Sequence, residues 1–116
     1  MRTLWERFEA RDWGSARELL SDDFSASWPH TGERFATPDA FIRVNEQYPE
    51  GWTIHVLRVV AEGDTAVSEV RVDHTRLGTS LASSWWTARD GRLASVVEYW
   101  VDEGAQPIPL DRRRKT

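Results

Sequence analysis

Four strand-like runs follow one another at residues 52–60, 65–77, 79–89 and 92–102, and the breaks between them are too short for a crossover. That spacing constrains the chain more than any other feature. Each break permits only an antiparallel neighbour, so the second half reads as a four-strand meander. Ala61-Glu62-Gly63-Asp64 and Asp90-Gly91 are hairpin signals, the second a strong one. Val, Ile, Trp, Thr and Tyr are plentiful in these runs and proline is absent.

A meander lets side-chain faces be followed from strand to strand. With Asp90-Gly91 as a two-residue turn, Arg89 faces Arg92, and Glu98, Val96 and Trp100 face Ser83, Trp85 and Leu81. Glu69, Arg71 and Asp73 share one face because strand side chains repeat every second residue. Their side relative to Glu98 depends on the turn at Gly78. A three-residue loop, Leu77-Gly78-Thr79, puts Asp73 opposite Ser83 and on the face of Glu98; a two-residue loop puts it on the other. In the first register one face carries Trp52, Ile54, Glu69, Arg71, Asp73, Trp85, Glu98 and Trp100, a mixture of carboxylates, one guanidinium and large aromatics.

Upstream the periodicity turns helical. Leu4, Trp5 and Phe8 form the stripe of a helix over residues 1–11, and Asp12 is a candidate N-cap for a second helix carrying Ala16, Leu19 and Leu20. Ser21-Asp22-Asp23 is expected to end it. Residues 24–28 read as a short strand, and Pro29-His30-Thr31-Gly32 turns the chain before Glu33-Arg34-Phe35. Thr37, Pro38 and Asp39 mark the start of a third helix, with Phe41, Val44, Asn45 and Tyr48 on its inner face. Helices followed by a curved meander make an α+β domain, expected over residues 1–104, with a Pro-containing basic tail over 105–116. Three short helices cannot cover both sides of the sheet. A homodimer is therefore expected through the second face, with Leu57, Val70, Val72, His74, Trp86 and Tyr99 at the interface.

A net charge of −4 argues against nucleic acid as a partner, and no apolar run is long enough for a membrane span. No signal-peptide pattern opens the chain, so a cytoplasmic location is expected. Without cysteine there is no thiolate nucleophile or thiolate metal site. The three histidines are scattered, so neither a metal nor a cofactor is expected. Seven tryptophans in so small a domain suggest a lined cavity or an interface as well as a core. The expected ligand-binding residues are Trp5, Trp28, Phe41, Asn45, Tyr48, Trp52, Ser83, Trp85 and Trp100.

Ser-Trp-Pro-His-Thr-Gly-Glu-Arg-Phe at 27–35, Thr37-Pro38-Asp39-Ala40-Phe41, Tyr48-Pro49-Glu50-Gly51-Trp52 and Arg89-Asp90-Gly91-Arg92-Leu93 resemble the SnoaL-like branch of the nuclear-transport-factor-2-like superfamily. So do Val59-Val60-Ala61-Glu62-Gly63-Asp64 and Val97-Glu98-Tyr99-Trp100. The resemblance implies a cone-shaped barrel of curved antiparallel sheet around N-terminal helices, a deep apolar pocket and dimerisation. Arg71-Val72-Asp73 is similar to the Arg-Val-Asp of limonene-epoxide-hydrolase-like enzymes, and Glu98 stands where those have a last-strand Asp. By that resemblance Asp73 is a general acid, Glu98 a base and Arg71 the bridge. Two carboxylates around one guanidinium can hold different protonation states, which is what acid–base chemistry requires. The chain departs from those enzymes at Ser25 and Ser27, where they carry the Tyr and Asn that hold the attacking water.

The expected function is binding of a small hydrophobic molecule, with hydrolase, isomerase or cyclase chemistry by Asp73, Glu98 and Arg71. Two other readings compete. The same charged group also serves a non-catalytic binding module or a dimeric interaction module, because buried ions must be paired whether or not they react. His30 reads as a solvated or loop-bracing residue rather than a proton carrier, and His55 and His74 as interface or packing residues on the face away from the carboxylates.

Overall fold

The computed structural model describes residues 1–104; the basic tail expected over 105–116 lies outside the described residues. Three helices precede or interrupt the strands: α1 (Arg2–Glu9), α2 (Trp13–Glu18) and α3 (Pro38–Glu46). The strands are β1 (Leu20–Trp28), β2 (Glu33–Phe35), β3 (Trp52–Glu62), β4 (Thr65–His74), β5 (Gly78–Arg89) and β6 (Arg92–Asp102). They form one six-stranded sheet in the order β2-β1-β6-β5-β4-β3. The expected meander is its β3–β6 part. β1 adds parallel to β6, which requires the crossover through α3, and all other pairs are antiparallel. The sheet is open, with β2 and β3 as its edges.

Local signals account for the helix starts. Asp12 accepts from Ser15 N at 3.2 Å and Thr37 Oγ1 from Ala40 N at 3.1 Å, each satisfying an orphan donor of the first turn. Pro38 follows Thr37 at the head of α3, where its missing N–H costs nothing. Ser21-Asp22-Asp23 does not form a turn. It lies inside β1, because Leu20 and Phe24 bury on the sheet's inner side while Asp22 and Asp23 face water. The core is aromatic: Trp5 and Phe8 of α1 and Phe41 of α3 pack onto Phe24 and Trp86, with Leu4, Ala26, Val70 and Val96 fully buried among them. At its centre Ser68 Oγ accepts from two indoles, Trp5 Nε1 at 3.1 Å and Trp86 Nε1 at 2.9 Å.

Two β-bulges decide which side chains share a face. In β6, Leu93 pairs with Ala88 but Ser95 with Thr87, leaving Ala94 as an extra residue. In β3, Val56 pairs with Val70 but Arg58 with Glu69, so Leu57 is extra. Each bulge moves the rest of its strand to the opposite side of the register that the hairpin alone would set. Glu98 therefore lies opposite Ser84, Val96 opposite Trp86, Trp100 opposite Ala82 and Trp52 opposite His74. The β4–β5 loop is Thr75-Arg76-Leu77, with Asp73 opposite Thr79.

Candidate functional site

At one end of the cone several strand and helix ends surround a cavity of about 280 Å³. α1 supplies Trp5 and Phe8 from below, and α3 with the residues after it supplies Val44, Asn45 and Tyr48. Trp52, Ile54, Val72, Ser80, Trp100 and Asp102 come from β3 to β6, and Trp28, His30, Thr31 and Glu33 from the β1–β2 hairpin. The inward alternation of each strand continues to its last turn, which places Trp28, Trp100 and Asp102 on the same side.

Behind the wall sits Glu98, only 1% exposed although it is a glutamate. Its Oε1 accepts from Trp28 Nε1 at 3.0 Å and from Trp100 Nε1 at 2.8 Å, and Ser84 Oγ lies 2.5 Å from Oε2. Indole N–H groups can only donate, so Oε1 carries no proton and any proton resides on Oε2, shared with Ser84. Burial pushes the Glu98 carboxyl above the usual carboxylate range. The hydrogen bonds from Ser84, Trp100 and Trp28, and then the charge of His30, pull the other way without cancelling it. The two indoles that hold Glu98 also line the cavity.

Asp73 and Arg71 do not meet Glu98. They project from β4 on the outer side of the sheet, because the Ala94 and Leu57 bulges carry Glu98, Trp100, Trp52 and Ile54 to the inner side and leave β4 unshifted. The three-residue β4–β5 loop keeps the expected parity of β4 against β5; the bulges change the outcome. Asp73 is instead part of a half-exposed outer cluster, with His55 Nε2 at 3.0 Å, Arg71 Nε at 3.3 Å and Thr79 Oγ1 at 3.1 Å. Desolvation works to raise its pKa, but the Thr79 hydrogen bond and the charges of Arg71 and His55 outweigh it and hold the carboxyl below its ordinary value.

Among the expected ligand-binding residues, Trp5, Trp28, Asn45, Tyr48, Trp52 and Trp100 line the cavity. Phe41 does not; it is fully buried in the core against Phe8, Phe24 and Trp86. Ser83 and Trp85 face outward with Asp73, Trp85 being half exposed. The expected interface residues divide in the same way. Val70, Val72, His74 and Trp86 are buried on the inner side, while Leu57 and Tyr99 are exposed on the outer one. His55 and His74 lie on different faces. His74 holds a loop junction: its Nδ1 accepts from Arg76 N and Leu77 N, and its Nε2 donates to Pro49 O. Sequence reasoning missed Glu33, Ser80 and Asp102 as lining residues and favoured a solvated or loop-bracing role over proton transfer for His30. Asp102 was findable, lying two residues beyond Trp100 on the same strand face.

The sequence profile of the SnoaL-like domain matches residues 1–104. The chain belongs to the SnoaL-like family. Its fold is that of the nuclear-transport-factor-2-like superfamily. This SnoaL-like chain is similar to a candidate ketosteroid isomerase from Kribbella flavida DSM 17836, with 25% identity, TM-score 0.85, and 97% of this chain and 82% of the other covered. A candidate polyketide cyclase from Sinorhizobium meliloti matches with 19% identity and TM-score 0.70, over 80% of this chain and 86% of that one. An LEH-like epoxide hydrolase from M. tuberculosis matches with 15% identity and TM-score 0.68, over 83% of this chain and 75% of that one. No curated protein matches the chain. No helix among the described residues is long and apolar enough to cross a membrane, and no group of His, Asp or Glu among them has the arrangement of a metal site.

Proposed function

We propose that this SnoaL-like domain binds a small hydrophobic molecule in the aromatic cavity, with Glu98 fixing the indoles of Trp28 and Trp100 as two of its walls. One observation carries this reading: a cavity of about 280 Å³ whose walls are largely aromatic and aliphatic, with only a few polar groups. The Trp52 indole N–H, buried and without a partner among the described residues, is a donor left open to a ligand oxygen. The test is a calorimetric titration with 2-decalone, a compact apolar ketone. Saturable one-site binding is expected, with loss of binding in Val72→Phe, which fills the cavity, and retained far-UV circular dichroism. Absence of binding, or binding that ignores the added ring, overturns the reading.

A second reading is acid–base catalysis, favoured by a carboxyl directly behind two cavity walls whose burial raises its pKa. The candidate ketosteroid isomerase and candidate polyketide cyclase have the same fold. In this reading Glu98 and the lining groups His30 and Asp102 carry the proton; the outer position of Asp73 and Arg71 removes them from it. Conversion of a β,γ-unsaturated cyclic ketone to its conjugated isomer, followed by ultraviolet absorbance, is the assay. Glu98→Gln is expected to lose turnover and keep affinity. No conversion by the wild type ends this reading and leaves the binding one.

A homodimer is proposed through the outer face, where Trp85, Val97, Tyr99 and Val101 are 51%, 38%, 46% and 53% exposed. Sedimentation equilibrium is expected to give twice the chain mass, and Trp85→Glu to give the monomer. A monomeric wild type overturns this proposal.

A further inference from the structure

We propose that the ligand of the aromatic cavity is an organic cation, a small ammonium compound with an apolar body. The inference rests on the binding reading above and adds the charge of the ligand. Its starting point is the polarity of the lining. Among the described residues Glu33 and Asp102 stand in it, no lysine or arginine does, and His30 is the one group there able to carry positive charge. Such a rim repels an anion and attracts a cation. The walls include the indoles of Trp28, Trp52 and Trp100, rings whose faces carry the negative side of the aromatic quadrupole.

Glu98 strengthens that surface. The Trp28 and Trp100 indoles direct their N–H groups to one carboxyl oxygen, at 3.0 and 2.8 Å, so the positive ends of both rings are taken up by Glu98. A hydrogen bond from an indole N–H to a carboxyl oxygen polarises the ring and makes its face more negative. A cation entering the cavity also favours the ionised form of Glu98, since opposite charges stabilise each other in a poorly hydrated site. Elsewhere in the fold the chain already pairs one of these rings with a cation. Arg11 lies 3.3 Å from the centroid of Trp52. It is not part of the lining, and its charge is matched by Glu50 at 3.0 Å and Glu9 at 3.8 Å.

The test compares three probes of similar shape by calorimetry at low ionic strength: benzyltrimethylammonium, its neutral isostere neopentylbenzene, and the anion 4-phenylbutyrate. The cation is expected to bind at least about ten-fold tighter than the neutral isostere, equivalent to about 1.4 kcal/mol, with the anion weakest. The Glu33→Gln, Asp102→Asn double variant, whose changes sit at exposed positions, is expected to reduce the cation's advantage over the neutral probe. A neutral probe that binds as tightly as the cation, or an anion that binds tightest, overturns the charge assignment and leaves the hydrophobic cavity standing. Failure of all three probes to bind overturns both.

Discussion

Glu98→Gln provides a decisive perturbation of the buried carboxyl, because glutamine reproduces the neutral acid. Its carbonyl oxygen accepts from Trp28 and Trp100 as Oε1 does, and its amide takes the place of Oε2 beside the Ser84 hydroxyl. Burial raises the folded-state pKa of Glu98, so between the ordinary carboxylate value and that raised value the folded chain holds a proton the unfolded chain has released. Stability from this group is thus complete below the ordinary value and is lost as pH rises towards and through the raised one. One proton corresponds to a slope of about 1.4 kcal/mol per pH unit within that window. Urea unfolding at half-unit pH steps measures it. The difference between Glu98→Gln and wild type is expected to shift in favour of the variant by that slope as pH rises, and to level off above the folded pKa. A constant difference, or a wild type that gains on the variant with rising pH, refutes the reasoning; the three hydrogen bonds would then outweigh burial.

The outer cluster has the opposite sign. Asp73 is held below its ordinary value, so Asp73→Asn is expected to remove a contribution present above that value and lost as the medium is acidified, while cavity-ligand affinity stays unchanged in calorimetry. Ser68→Ala deprives the Trp5 and Trp86 indoles of their shared acceptor and is expected to cost roughly 1–3 kcal/mol for each orphaned donor in urea unfolding. Gly51 sits at φ +121° with a Cβ position 2.6 Å from Thr75 Oγ1 and 3.0 Å from the His74 ring. Gly51→Ala is expected to cost about 1–3 kcal/mol and to lower the thermal midpoint accordingly.

The β3–β6 meander, the helix caps and the α+β class were legible in the sequence because each rests on local chemistry. Thr37-Pro38 starts α3 where expected, and Asp90-Gly91 makes the two-residue turn that pairs Arg89 with Arg92. The site was less legible because it depends on parity. A single inserted residue reverses every side chain of its strand beyond the bulge from the hairpin, and nothing about Ala94 or Leu57 announces a bulge, since both fit a regular strand. Glu98, Trp100, Trp52 and Ile54 kept one another's company because both bulges fall before the cavity end. Asp73, Arg71, Ser83 and Trp85 lost it because β4 and β5 run without interruption. The tryptophan wall survived better: six of the nine expected ligand contacts line the cavity, and the three that do not are Phe41, Ser83 and Trp85.

Indole N–H resonances report on the arrangement most directly, since the chain has seven tryptophans and two of them touch one carboxyl. In a pH series of proton–nitrogen spectra, the Trp28 and Trp100 signals are expected to move together with one midpoint above the usual carboxylate range, and to stop moving in Glu98→Gln. Independent titration of those two signals, or a shared movement that persists in Glu98→Gln but vanishes in Asp73→Asn, contradicts a carboxyl buried behind the cavity wall.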